Sequence, residues 1–440
     1  MIVGAGISGI MASYEFKLNY PEVRFITLEK LDVIGGSLPM AGGAMIAMHS
    51  RTHQAAGKEA EMEDIISVLE ISMGHEADRE YVTNIYEHAD AWMDRLVDLG
   101  VEFNLNNVTP ASRANNDRLS AIAAMGNGAG FTSFLNQAIR KDPFDLRMHS
   151  QVTELIVEDG QVIGVKVEDA EKTYNIYADA VLLATGGFSN SRAMLEKYIP
   201  LYQRSISRSG AGATGDGIVL TERFQPEIVG QANAMGGSLR ASPTTAKLSG
   251  NFVVAADGKR FANETNANAM IRAIGENNLS AYLLMDGKFE NTAALEAGID
   301  SGLVRRFDTL EELAEGMRID QETLLETVAQ YNQAAANGEE LEFGLPAASA
   351  TPLDTAPYYA ERIYVMHFGT IPSVKVDHQM RLLDGEGNAV PGLYCSGELT
   401  EGNLYDNKYP GAGYGISYAA YSGAYAAGCI MNDRGAASAQ

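Results

Sequence analysis

The opening residues MIVGAGISG, with Glu29 twenty positions after the last glycine, constrain the fold more than any other part of the chain. A short apolar run leads to Gly4, Gly6 and Gly9. A helix from Ile10 to about Leu18 follows, and then a second apolar run, Val23 to Leu28, ends on Glu29. This reads as strand, glycine turn, helix and strand, the dinucleotide fingerprint in its full context. The first glycine permits the tight turn, the second lets backbone approach a pyrophosphate, and the third lets helix and strand pack closely. The acid then meets ribose hydroxyls, while the phosphates sit on the helix N-terminus. A buried parallel strand commonly runs about five or six residues. The short first strand therefore predicts a natural protein that begins further upstream.

A length of 440 residues provides for two or three units, each with its own core. Fifty-seven acidic against 33 basic residues give a formal net charge of -24, which opposes binding to DNA or RNA. No run of eighteen apolar residues predicts a membrane span, and the first residues lack the layout of a signal peptide. The chain reads as soluble, and its sequence does not fix a compartment. Cys395 and Cys429 form no Cys-x-x-Cys pair, haem attachment site or cluster-binding set. Any redox centre is therefore expected to be organic, no metal site is expected, and both thiols read as small buried hydrophobes.

Further along, VIGGSLPMAGGAMIA (residues 33–47) is too rich in glycine to start a helix and too apolar for a solvated loop, so it is expected to lie against something flat. VTELIVEDGQVIGVKVEDAEKTYNIYADAVLLATGG reads as an antiparallel excursion that returns to the parallel sheet. GATGDGIVLTERF is another glycine turn entering a helix, with Asp216 at the turn. From about Gln231 the composition shifts to Asn, Ala, Ser and Thr, and TLEELAEGMRIDQETLLETVAQYNQAAANG reads as two acidic amphipathic helices. The predicted organisation is α/β: a discontinuous Rossmann-like domain, residues 1–230 and 367–440, with an inserted α+β capping domain at 231–366. GNGAGF at Gly126 reads as no second dinucleotide site, for want of a preceding strand and a downstream acid. Tyr414, Tyr418, Tyr421 and Tyr425 recur at helical spacing near the end and read as packing.

Eight segments occur in the order found in one flavoprotein family: GAGISG with Glu29, GGSLPMAGGAM, TELIVEDGQVIGVKV, LLATGGF, GATGDG, DGKRFANE, PGLYCSGEL and NKYPGAGYGIS. The chain resembles the fumarate reductase and succinate dehydrogenase flavoproteins, with urocanate reductase and 3-ketosteroid dehydrogenase. The resemblance covers nearly the whole chain and implies FAD. By motif, Gly4, Gly6 and Gly9 would hold the pyrophosphate, Glu29 the adenosine ribose, and Gly42 and Gly43 the loop beside the flavin. Asp216 and Glu398 would lie near the ribityl chain. The turn from Gly411 to Gly415 would aim a helix N-terminus at the pyrimidine edge of the ring. Lys30, Gly36, Ser37, Val152, Ala184, Thr185, Gly186, Gly413 and Ile416 are implied along the same cofactor. Noncovalent attachment is expected, because no His lies between Lys30 and Met48, where membrane-bound relatives attach theirs.

The substrate end departs from the fumarate reductases. Their His-Pro-Thr histidine is Ser242, their proton-donating Arg is Asn268, and a second carboxylate-binding His is Gly369, with His367 two positions upstream. The ketosteroid dehydrogenases polarise a ketone with a tyrosine in Tyr-Pro-Gly, which Tyr409 resembles. Four residues are candidates for the chemistry. Tyr409 is a proton donor held extended before Pro410, and Lys408 is a cation where the reductases place an Arg. Arg272 is an alternative donor one helical turn after Asn268, and His367 sits near a domain hinge. The expected function is hydrogen transfer across a C=C bond conjugated to a carbonyl or carboxylate, with reduction of a substrate other than fumarate preferred. A ketosteroid-type desaturase and a flavoprotein electron-transfer subunit are the alternatives. Reduced flavin, a nicotinamide or a redox protein remain open as electron donor.

Overall fold

The computed structural model describes residues 1–111, 118–240 and 252–438. It divides into two compact units. One comprises Met1–Ile199, Ser207–Gly236 and Phe368–Gln440, the other Pro200–Ile206 and Gly237–His367.

The first unit is built on β1 (Ile2–Val3), α1 (Ile7–Asn19), β2 (Thr27–Leu28), β3 (Leu146–Arg147), β4 (Val181–Leu183), β5 (Arg381–Leu383), β6 (Ala389–Cys395) and α2 (Tyr414–Ser438). The sheet order is β5-β6-β4-β1-β2-β3, parallel throughout except for β5, which is antiparallel to β6. Ile2 faces both Thr27 and Leu182, so the first strand is central and buried on both sides. A helix beside such a sheet must itself be apolar on most faces, and Ile7, Ile10, Met11, Ala12, Tyr14 and Phe16 of α1 are all buried. α2 packs closely on α1: a Cβ on Gly423 would fall 2.1 Å from the Ser8 carbonyl oxygen. Tyr414, Tyr418 and Tyr421 are fully buried, and their hydroxyls are hydrogen-bonded to Ile65, to Tyr81 and Thr400, and to Ile46. Cys395 and Cys429 are buried free thiols.

Two expected boundaries shift. α1 begins at Ile7, one turn ahead of the expected Ile10, because the Gly6 carbonyl already accepts the Ile10 amide. β2 spans Thr27–Leu28 rather than Val23 to Leu28, since its neighbours β1 and β3 each offer only two residues to pair with. The antiparallel excursion forms as Gln151–Glu158, Gln161–Glu168 and Thr173–Tyr177 before β4. The GNGAGF segment does follow a strand, Ser120–Ala124, and opens the helix Asn127–Lys141. That strand pairs antiparallel with Ala44–Met45 and Phe103–Pro110, an arrangement unlike the parallel βαβ unit that a second dinucleotide would need.

In the second unit the long strand Tyr358–His367 pairs antiparallel with Ala281–Met285, Val304–Phe307 and Ser238–Arg240, and Phe252–Ala255 joins beyond Ala281–Met285. Two acidic helices, Leu310–Met317 and Gln321–Asn337, are capped by Thr309 and Asp320. Their Leu313, Leu324, Val328 and Tyr331 form one core with Phe252, Val254 and Leu284. Arg260 and Glu264 form a buried two-pronged ion pair at 2.8 and 2.6 Å, with the guanidinium over the Tyr331 ring. No helix among the described residues is long and apolar enough to cross a membrane.

Candidate functional site

The N-terminus of α1 is surrounded by glycine-rich backbone. Gly4 adopts φ +104°, and a Cβ there would fall 2.3 Å from the Ala184 carbonyl oxygen. A Cβ on Gly9 would fall 1.9 Å from the Gly4 oxygen, so only glycine lets α1 approach its own strand. Gly6 is different: its φ is -68° and the nearest atom to a Cβ would be Gly36 Cα, 4.0 Å away. Bare backbone is thus not required there by the protein's own packing. The Glu29 carboxylate is buried and held at both oxygens, Oε2 by the Ala5 amide and Oε1 by the Leu31 amide, each at 2.9 Å. Each oxygen keeps a further lone pair for a diol.

Three more segments converge on this point. Gly35 bridges to Gly6, Gly36 has φ +55°, and Ser37 Oγ accepts the Gly210 amide at 3.1 Å. Lys30 Nζ reaches Asp216 Oδ2 at 2.7 Å and Thr214 Oγ1 at 2.6 Å, and that hydroxyl donates to Asp216 Oδ1 at 2.6 Å. Asp216 opens a helix capped by Gly215, and Val152 lies buried in the neighbouring antiparallel sheet. The Ala184 amide continues the pairing of β4 with β1, bonding to the Val3 oxygen at 2.8 Å. Beyond it, Thr185 Oγ1 is buried with no partner among the described residues, and Gly186 (φ +73°) faces open space, as does Gly42. Gly43, at φ +72°, is closed in by the Asn127 backbone.

At the other end, Gly413 (φ +87°) leads into α2, and Ser417 Oγ accepts the Ile46 amide at 2.8 Å, joining the GGAM segment to the helix start. Ile416 is half-buried on its first turn. Glu398 Oε1 accepts both the amide and the hydroxyl of Thr370, at 2.9 and 3.2 Å, and burial pushes its carboxyl up to about 7. Thr370 was not expected in this role, and only its neighbour Gly369 drew notice in the sequence.

The FAD binding domain family model matches residues 1–416. The chain belongs to this family. It is 28% identical over 428 residues to a fumarate reductase (cytochrome) of Shewanella frigidimarina, covering 93% of this chain and 73% of that one. It is 26% identical over 435 residues to the urocanate reductase of Eggerthella lenta, covering 93% and 70% respectively. The open conformation of a flavocytochrome c3 fumarate reductase superposes with a TM-score of 0.83 at 24% identity, over 98% of this chain and 77% of that one. The Rossmann-like FAD domain with a capping domain is therefore this flavoprotein's fold. Its residues fit FAD on structural grounds: open backbone at Gly6 and Gly186, an oriented buried carboxylate at Glu29, and an orphaned hydroxyl at Thr185.

The four residues singled out for chemistry fall in both units. Tyr409 Oη accepts the Gly415 amide at 3.2 Å, on the first turn of α2, and its ring meets that of Tyr405 edge-on at 5.6 Å. Lys408 is exposed, and no ion pair among the described residues engages its ammonium. In the second unit, Asn268 and Arg272 stand one turn apart on the exposed side of the helix Ala267–Asn277. The Arg272 side chain, 71% exposed, pairs with Glu276 at 3.3 Å. His367 is buried at the end of its strand, with Nδ1 2.8 Å from Ser205 Oγ and its ring against Tyr202. Ser242 lies outside the described residues.

Proposed function

We propose that this FAD-dependent oxidoreductase of the fumarate reductase type reduces a C=C bond conjugated to a carbonyl or carboxylate, on a small substrate other than fumarate. The observation that carries the reading is Tyr409. Its oxygen accepts a backbone amide on the first turn of α2, which fixes the hydroxyl beside the helix start. FAD, when bound, supplies hydride transfer, and the chain supplies orientation, charge and the proton. Tyr409 donates the proton to one carbon. The adjacent Lys408 polarises the carbonyl or carboxylate. Arg272, already paired with Glu276, is the weaker donor, and His367 fixes the end of its strand.

A substrate other than fumarate is supported by the positions where relatives carry anchors. Asn268 offers no charge, and at Gly369 the space of a side chain is taken by Met235, whose Cε lies 1.9 Å from where a Cβ would sit. Noncovalent FAD is supported by the lack of any His between Lys30 and Met48.

The test is flavin reoxidation in the reduced, anaerobic protein by a panel of enoates, enones and steroids. One member should reoxidise the flavin much faster than fumarate does, and fumarate turnover equal to the best would overturn the assignment. Tyr409→Phe should slow that turnover roughly 10²- to 10⁴-fold while retaining FAD, as loss of a general acid does. Arg272→Lys should change it little. The reverse pattern would make the arginine the donor.

A further inference from the structure

Beside Tyr409 lies a buried polar cluster that nothing in the proposed chemistry yet uses. Glu401, Tyr405 and Tyr86 are between 0% and 1% exposed. Glu401 Oε2, Tyr405 Oη and Tyr86 Oη are all buried without a partner among the described residues. Glu401 and Tyr405 are one helical turn apart, joined by the Tyr405 amide bonding to the Glu401 carbonyl at 3.0 Å. The other carboxyl oxygen, Oε1, and Tyr409 Oη lie 3.6 and 3.5 Å from where a Cβ on Gly415 would sit. The carboxyl and the phenol therefore flank the same residue of α2. Native proteins pair more than about nine in ten buried polar groups, and a buried water commonly joins two to four of them.

We propose that Glu401, with Tyr405 and Tyr86, holds an internal water beside Tyr409 and returns to Tyr409 the proton it gives to substrate. The inference rests on Tyr409 as donor. FAD in its reduced form would supply the hydride, and with it the two electrons, while Tyr409 Oη gives the proton that completes addition across the C=C bond. The Tyr409 phenolate then takes a proton through the water from the Glu401 carboxylic acid. The Glu401 carboxylate regains one from solvent. Such a group must be protonated at rest, and burial, together with the nearby Glu398 carboxyl, holds Glu401 well above the usual carboxylate range. The other titratable groups around it are the phenols of Tyr86, Tyr405 and Tyr418, which burial holds well above their usual range and so neutral near pH 7, and that of Tyr409 itself. Glu401 is thus a positioning and relay residue, one step behind the atom that touches substrate.

Infrared difference spectra of the holoprotein across neutral pH give a readout free of turnover. A protonated carboxyl band that shifts in D2O and survives Glu398→Gln should be present in the wild type and lost in Glu401→Gln. An unchanged band in that variant, or none in the wild type, overturns the proposal. With the fastest panel substrate, Glu401→Gln should lower kcat roughly 10- to 100-fold with KM and flavin content unchanged, and Glu401→Asp should recover much of the rate and the band. Slow Tyr409→Phe with normal Glu401→Gln refutes the relay alone. Normal Tyr409→Phe refutes the donor as well.

Discussion

Alanine placed at Gly6 and at Gly9 should separate cofactor binding from folding, although the two glycines are three residues apart. At Gly9 a Cβ would sit 1.9 Å from the Gly4 carbonyl oxygen. An ordinary carbon–oxygen contact is about 3.3 Å, so α1 has to withdraw by about 1.4 Å from the strand it follows. α1 is buried on most faces and has nowhere to go, and overpacking of this kind costs about 1–3 kcal/mol or more. At Gly6 the backbone is ordinary for any residue, with φ -68°, and the nearest atom is 4.0 Å away. Alanine should leave the apoprotein as stable as before or firmer by about 0.4–1 kcal/mol, through the unfolded chain. Where Gly6 holds the pyrophosphate of FAD, as its motif implies, the methyl group would meet that group instead. Loss of one charge-assisted hydrogen bond, about 1.5–3 kcal/mol, weakens FAD binding roughly 10- to 150-fold. Flavin fluorescence titration gives the affinity, and urea unfolding of the apoprotein followed by circular dichroism gives the stability. The reasoning fails if Gly6→Ala binds FAD like the wild type, or if Gly9→Ala unfolds at the wild-type midpoint.

Three other perturbations follow. The Glu398 carboxyl is raised from 4.5 to about 7 in the folded chain, so the native state holds a proton that the unfolded chain releases, and apoprotein stability should fall as pH rises through that window. Glu398→Gln, which keeps the acceptor for Thr370, should flatten the profile and gain up to about 3 kcal/mol at pH 8; an equally steep decline in the variant would refute the assignment. Arg260→Met strands a buried carboxylate at Glu264 and should lower the stability of the second unit by about 3–5 kcal/mol, most of it recovered in Arg260→Met/Glu264→Leu; an equally unstable double variant would show that packing over Tyr331 dominates. Acid precipitation should release all the flavin as FAD, and colour retained in the pellet would show a covalent link.

The parts legible in the sequence are those whose signal is local. GAGISG, the acid after the second strand, the ATGG strand end and the helical period of residues 309–338 each state their structure within a few residues, because turn geometry and helical period are short-range properties. Glu29 was legible as an acid at the right place. That the amides of Ala5 and Leu31 aim its carboxylate was not, since those bonds depend on where the next loop returns. The strand before GNGAGF was missed for a related reason. SAIAA becomes a strand by pairing with one segment about ten to twenty residues away and another about eighty away, and its own composition suits helix as well.

The same argument explains why the catalytic end was the least legible. Tyr405, Glu401 and Tyr86 carry no motif, and a tyrosine or glutamate in a sequence is far more often surface or packing than chemistry. Their significance arises from tertiary burial, which shuts bulk solvent away from Glu401 Oε2 and Tyr405 Oη without giving either a protein partner among the described residues. Glu398, within the short helix Gly397–Thr400, and Glu401, at its end, then acquire raised proton affinity together, the second partly because of the first. Two carboxyls so close and so enclosed cannot both ionise readily at neutral pH. Charge beside Tyr409 is thereby kept low, which suits the proposed chemistry, in which negative charge would develop on flavin and substrate and would be met by the helix N-terminus and Lys408 rather than by fixed anions.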